Sequence, residues 1–234
     1  MLGAGASGRL AVQDGAELWP TYGWPAERLI LSIAGGREAL LNSIEGVEDD
    51  ANNAYEEVAS NSIGEHDVVL GIAASGSSAW TVAWLESARR NGALTIAMAN
   101  NNDTPLLVAS EHPIFLNSGE EVLAGSTRMA AGTAQKIALN MFSTLLMIRL
   151  NRTYGNLMVD MAASNAKLDD RRIRMLQTVI PEVNTVTAKD ALAKAKGWVK
   201  LAALICKGLS DDDALRLLDD CDGSLRKALS VINS

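Results

Sequence analysis

The sequence predicts an α/β fold, a doubly wound parallel sheet followed by a small C-terminal three-helix tail. Three observations carry that expectation. Four short apolar runs, RLILSIA (28–34), DVVLGIA (67–73), LTIAMA (94–99) and HPIFL (112–116), are each bounded by glycine, asparagine or serine. Longer stretches of helical period separate them, such as EDDANNAYEEVASNSIG and SAWTVAWLESARRNG. Continuous apolar strands alternating with helices are what a parallel sheet covered on both faces requires. The third observation is the tail, where AKDALAKAKGWVKLAALICKG, SDDDALRLLDDC and DGSLRKALSVI read as short amphipathic helices. Ser210 and Asp222 serve there as N-caps, with Gly208 and Gly223 as punctuation.

Taken in order, the remaining elements follow from local pattern. Glycine-rich MLGAGASGR opens the chain and leads into the helical run SGRLAVQDGAE. A long helical region runs from Gly125 to about Leu150, and a second runs through NAKLDDRRIRMLQTVI to Pro181. Within the first, IALNMFSTLLMI is the most apolar stretch of the chain. It is shorter than the roughly 20 residues a membrane span needs, and Lys136 and Arg149 flank it, so it reads as a buried core helix.

Composition narrows the function. The chain of 234 residues is 48% hydrophobic and 21% charged, as an ordinary globular protein is, and its length suits one main domain with a tail. Its net charge of −7, with no lysine or arginine cluster interleaved with aromatics, makes nucleic acid an unsuitable partner. Two cysteines, Cys206 and Cys221, form neither a disulfide framework nor a metal-ligand spacing. With no secretory signal at the start, a reducing cytoplasmic setting is expected.

The spacing of Gly3, Gly5 and Gly8 matches G-x-G-x-x-G. A dinucleotide fingerprint, however, needs an acid at the end of the next strand, and RLILSIA ends in Gly35, Gly36 and Arg37. The nicotinamide reading is therefore the weakest. Ser7 and Gly8 still place a hydroxyl and bare amides at a helix start, where an anion is favoured. Ala74, Ser75, Gly76, Ser77 and Ser78 repeat the arrangement after the second apolar run, and Gly125, Ser126, Thr127 and Arg128 do so before the long helix. Three hydroxyl-rich helix starts suit a phosphorylated polyol, although each alone is also explained by N-capping.

Two carboxyls stand out as an acid/base pair. Glu17 ends a helical run beside LWPTYGWP, a setting that favours keeping a proton. Glu48, in EGVEDD, precedes a helical stretch, where the charged form is favoured. Asp14 competes with Glu17 for the acid role, and Glu48 also reads as part of a solvated acidic helix start with Glu45, Asp49 and Asp50. His66 and His112 read as structural, and Trp19 and Trp24 as loop packing.

The segments GAGASGRLAVQDGAELWPTYGWP, AGGREALLNSIEGVEDD, VVLGIAASGSS, GSTRMAAGTAQKIALNMFSTLLMIRL and YGNLMVDMAASNAKL together resemble the N-acetylmuramic acid 6-phosphate etherase family, across nearly the whole chain. More distantly they resemble the sugar isomerase (SIS) domain of the glucokinase regulatory protein. The resemblance implies an SIS-type domain over 1–182 and a small UBA-like helical domain over 183–234. It implies a lyase of amino sugar metabolism, with Glu17 as proton donor and Glu48 as second catalytic glutamate. Ser7, Ser75 and Ser78 become phosphate-binding hydroxyls, with Gly8, Gly76, Ser126 and Thr127 beside the substrate. Glu48 would remove the proton next to the opened aldehyde, Glu17 would protonate departing D-lactate, and water would add to give N-acetylglucosamine 6-phosphate. The resemblance implies no metal or organic cofactor, and a homodimer. Asn156 and Asn165 fall in family signatures. Ala6, Ser77 and Ala130 stand where the family usually has threonine, arginine and lysine, and the chain is expected to begin inside the family's first strand. Because two cations are lost, a phosphosugar-binding regulator without turnover is the alternative.

Overall fold

A computed structural model describes residues 1–162 and 166–232. In chain order the elements are β1 (Leu2–Gly3), α1 (Gly5–Ala16), α2 (Leu18–Tyr22), β2 (Ser32–Ile33), α3 (Ala51–Ser60), β3 (Val68–Ala73), α4 (Ala79–Arg90), β4 (Leu94–Ala99), α5 (Pro105–Ala109) and β5 (His112–Phe115). They are followed by α6 (Ala130–Arg149), α7 (Ala166–Val179), α8 (Thr185–Lys194), α9 (Val199–Cys206), α10 (Asp211–Asp220) and α11 (Leu225–Ile232). The chain forms two compact units, one of Met1–Ala16 and Glu27–Met141, the other of Glu17–Ala26 and Phe142–Ser234. This division differs from a boundary at 182/183.

The first unit holds a five-stranded sheet of order β2-β1-β3-β4-β5, parallel throughout. Crossovers run outward in both directions from β1 and β3, so right-handed connections cover both faces. The expected doubly wound α/β sheet is what the chain forms. β3 and β4 are the apolar runs within a residue, paired from Val68↔Leu94 to Ala73↔Ala99. The run at 28–34 yields only Ser32–Ile33 as strand, because its one neighbour, β1, offers Leu2 and Gly3 for pairing. The core under α3 and α4 centres on Trp80 and Trp84, both buried, whose indole N–H groups donate to Asn53 Oδ1 at 2.9 Å and Glu57 Oε2 at 3.3 Å.

In the second unit, Met175, Leu176 and Val179 of α7 share one core with α8 to α11 and with Val159 and Met161. The first tail run is broken at Lys196 and Gly197, both at positive φ, so α8 precedes the three short helices α9, α10 and α11. Ser210 caps α10 as its sequence position implies, accepting from the Asp213 N–H at 3.2 Å. The N-cap expected at Asp222 is instead Ser224, whose Oγ accepts from the Lys227 N–H at 3.4 Å. Asp222 lies at φ 54 in the preceding turn, where a cap's extended backbone is excluded.

The apolar helix requires a correction. α6 buries Leu139 and Met147, but Ile137, Met141, Leu145 and Ile148 are exposed. It is therefore not a core helix all round; its apolar character exceeds what its own chain covers. Among the described residues, no helix is long and apolar enough to cross a membrane.

Candidate active site

In an order of 2-1-3-4-5 the direction of winding reverses between β1 and β3, and ligands of open parallel sheets bind at the carboxyl ends of strands beside such a reversal. The loops that leave β1 and β3 are the two that carry Ser7 with Gly8 and Ser75 to Ser78. They are tied together: Ser7, buried in the first turn of α1, accepts from the Ala74 N–H through Oγ at 3.3 Å. Gly8 is there for closeness, since a Cβ would collide with the Gly3 carbonyl and the Ile33 side chain. The opening glycines thus seat α1 tightly on β1, and the same close approach leaves its N-terminal amides at the sheet's edge.

The loop after β3 turns through Gly76 at φ 69, where a Cβ would also strike Thr104. Its amide donates to the Ala73 carbonyl at 3.1 Å and its carbonyl accepts from Leu106 at 3.0 Å. Ser75 is exposed, and its Oγ accepts from the Ser77 N–H at 3.2 Å. Ser78 caps α4. Its Oγ accepts from the Thr81 N–H at 3.4 Å and from the Thr81 hydroxyl at 3.0 Å, and donates to the Glu48 carbonyl at 3.2 Å. A serine hydroxyl has one proton and two acceptor positions, so all of its capacity is used.

Glu48 sits in a 3-10 turn, Val47–Asp49, with its side chain exposed, and Asp50 caps α3 by accepting from the Asn53 N–H at 3.1 Å. The Ser78 bond therefore joins the candidate base directly to the candidate phosphate loop. The alternative of a solvated acidic helix start is half right: the side chains face water, but the backbone of Glu48 is anchored.

The third cluster is arranged differently from the other two. α6 begins at Ala130, and the carboxylate of Glu121 accepts from the N–H groups of Ala130 at 3.1 Å and Ala131 at 3.0 Å. These backbone donors hold the Glu121 carboxyl below its usual value of 4.5. The chain's own carboxylate thus occupies the helix end that Ser126 and Thr127 were expected to offer an anion. Ser126 accepts from the Arg128 N–H at 3.2 Å, and Thr127 is exposed.

Glu17 belongs to the second unit, exposed at the residue between the end of α1 and the start of α2, with no side-chain capping bond. It lies between the carboxyl end of α1 and the amino end of α2, two helix ends of opposite sign, rather than beside one alone. Asp14 is buried within α1. Trp19 is 55% exposed rather than packed, and His66 and His112 lie at the surface. Asn156 is exposed in the turn closed by Tyr154 and Leu157, and Asn165 lies outside the described residues.

Sequence reasoning missed Asn100 and Gln135. Asn100, at the end of β4, accepts from Gln135 Nε2 at 2.8 Å and donates to the Leu116 carbonyl at 3.1 Å and Ser118 Oγ at 3.2 Å. The signal available was the run NNND at the same sheet edge. Cavities of about 630 Å³ beside Arg89 and Arg90, and about 510 Å³ beside Arg172 and Lys189, have none of the expected site residues in their walls. Among the described residues no group of three or more His, Cys, Asp or Glu side chains could hold a metal ion.

Known proteins resemble this chain over most of its length. The profile of the glucokinase regulatory protein N-terminal SIS domain matches residues 1–89. The N-acetylmuramic acid 6-phosphate etherase of Deinococcus radiodurans is 45% identical, over 97% of this chain and 75% of that protein. That of Streptomyces avermitilis is 44% identical over 98% and 74%, and that of Rubrobacter xylanophilus 44% over 97% and 75%. Among solved structures, the C-terminal domain of glucosamine-fructose-6-phosphate aminotransferase from Francisella tularensis is similar, with a TM-score of 0.48 at 17% identity over 81% of this chain and 46% of that one.

Proposed function

The chain belongs to the N-acetylmuramic acid 6-phosphate etherase family, and from that premise we propose how its residues divide the work of a carbon-oxygen lyase. The enzyme cleaves the D-lactyl ether of N-acetylmuramic acid 6-phosphate, giving N-acetylglucosamine 6-phosphate and D-lactate. The open-chain aldehyde acidifies the proton on its neighbouring carbon, and Glu48 takes that proton. As the carbon–oxygen bond to the lactyl group breaks, Glu17 gives the departing oxygen its proton. Water then adds across the new double bond. Both carboxyls act as general acid and base, the roles that require each to change protonation state within the cycle.

The phosphate is held at the sheet edge by the loops of Ser7 with Gly8 and of Ser75, Gly76 and Ser78. The observation that carries this reading is the Ser78 bond to the Glu48 carbonyl. It makes the anion loop and the base one piece. For Ser78 to bind phosphate it must give up Glu48, so filling the loop and releasing the Glu48 turn are coupled. The protein works in the cytoplasm as a homodimer; the exposed stripe of Ile137, Met141, Leu145 and Ile148 on α6 is suited to a second copy of the chain. Helices after residue 182 complete the core built on α7.

Glu17→Gln tests the assignment. The amide keeps the shape but has no carboxyl proton, so lactate release falls to a small residual rate, with protonation left to solvent, while binding stays within a few fold and the sugar's alpha proton still exchanges with solvent. Undiminished lactate release by this variant would overturn the acid role.

A further inference from the structure

Asp160, the last residue of YGNLMVD, is 6% exposed, and its carboxylate gathers three donors. Lys200 Nζ donates to Oδ2 at 2.5 Å, Trp198 Nε1 donates to Oδ1 at 2.7 Å, and Arg152 Nη1 lies 3.8 Å from Oδ2. Lys200 is itself buried at the start of α9, and burial pushes its ammonium below the usual lysine range in spite of the Asp160 charge. Charges withdrawn from water in this way gain little over apolar side chains of the same volume, so stability alone is a weak reason for the cluster.

What the cluster touches suggests another reason. Gly23, at φ 60, closes α2 six residues after Glu17, and a Cβ there would collide with the Asp160 carbonyl. Arg152 Nη1 donates to the Gly23 carbonyl at 3.5 Å, and its guanidinium lies 5.6 Å over the Trp24 ring. Alongside, the Ala162 N–H donates to the Pro20 carbonyl at 3.2 Å, and the Tyr22 hydroxyl reaches Thr144 Oγ1 at 3.3 Å. All of these contacts lie within the second unit. The segment that carries Glu17 is thus gripped at its far end, while Glu17 has no capping bond of its own.

We propose that Asp160, Lys200 and Arg152 form a positioning device for the proton donor, setting the turn that presents Glu17; this rests on the reading of Glu17 as the acid. Lys200 and Trp198 fix Asp160, Asp160 fixes Arg152, and Arg152 with the Asp160 backbone fixes Gly23 and Trp24. None of the three residues need touch the sugar.

Arg152→Gln is the test, because the Arg152 side chain is 28% exposed and its loss leaves the Lys200–Asp160 pair in place. Misplacement of a catalytic group by about 1 Å costs on the order of a hundredfold. We expect kcat for lactate release to fall about ten- to a hundredfold, with KM within about twofold and alpha-proton exchange unchanged. Arg152→Lys, which keeps the charge without the planar fork, should recover part of the loss. In a Glu17→Gln background Arg152→Gln should cost nothing more, since an absent acid cannot be misplaced. A further loss in that background, equal to the loss in the parent, would show a merely structural role and overturn the proposal, as would unchanged kcat in Arg152→Gln alone. Undiminished lactate release by Glu17→Gln would instead remove the acid assignment and the proposal with it. The two failures differ in which variant stays active.

Discussion

Ser78→Ala measures how firmly the start of α4 and the Glu48 turn are held as one piece. The substitution deletes three contacts of a buried hydroxyl. At 3.4 Å the bond from the Thr81 amide is long, so the cap is at the low end of its range, about 0.5 to 1 kcal/mol. The bond to the Glu48 carbonyl contributes a further 0.5 to 1.5 kcal/mol, roughly. Thr81 is fully buried and loses the acceptor of its own hydroxyl, which costs about 1 to 3 kcal/mol if it stays unpaired. A helical threonine can turn to a carbonyl in the preceding turn and recover part of that, so the expected total is about 2 to 3 kcal/mol.

The assay is urea unfolding followed through tryptophan fluorescence, since Trp80 and Trp84 are buried on the same helix. Adding Thr81→Val to Ser78→Ala removes the stranded hydroxyl, and should return about 1 kcal/mol, because deleting both partners costs less than deleting one. A loss below about 0.5 kcal/mol in Ser78→Ala, or a larger loss once Thr81→Val is added, would refute the reasoning. Activity separates the two roles of the hydroxyl. If its main partner is Glu48, alpha-proton exchange falls more than affinity for the phosphosugar; if its main partner is phosphate, the order reverses.

The remaining predictions concern charge. Glu121 is held below 4.5 by the Ala131 and Ala130 amides, so its contribution to stability is present above 4.5 and is lost as pH falls through its lowered folded value. Glu121→Gln does not titrate and should flatten the acid side of the urea midpoint below pH 4.5; an unchanged acid side would exclude the capping role. Introducing the cations that the resemblance implies, Ser77→Arg and Ala130→Lys, should raise lactate release, because fixed positive charge stabilises a phosphate or a developing enolate. No increase, in a chain that still binds the phosphosugar, would favour the regulator.

The sheet was legible because strands buried on both faces are written as unbroken apolar runs, and β3 and β4 follow theirs within a residue. β2 was not, since the length of an edge ladder is set by its partner. Caps at Ser78 and Ser210 were readable from one residue each. At α11 two capping residues stand two apart, and the backbone of the turn between them decides. The exposed face of α6 had no signal, because composition records that a helix is apolar and not which side is covered. The same limit applies to the site. Gly76, Ser78 and Glu48 lie in loops that follow strands or open helices, and Ser7 lies in the first turn of α1. Asn100 and Gln135 are 35 residues apart and Asp160 and Lys200 are 40 apart, so each reads alone as a loop amide or a helix lysine until tertiary packing joins them.

That packing also separates the two glutamates by what holds them. Glu48 is anchored in the first unit through Ser78 and the start of α4. Glu17 opens a ten-residue excursion, Glu17–Ala26, whose contacts belong to the second unit, through Gly23, Trp24 and the Asp160 cluster. Ala6, Ser77 and Ala130, where the resemblance implies threonine, arginine and lysine, all lie in the first unit. On the proposed roles, whatever they cost falls on holding the phosphate and on the charge that builds as Glu48 removes a proton. The contacts that grip the Glu17 segment contain none of the three. If the departures slow this enzyme, the proposed division of roles puts the deficit in affinity and alpha-proton exchange and leaves protonation of the departing lactate intact.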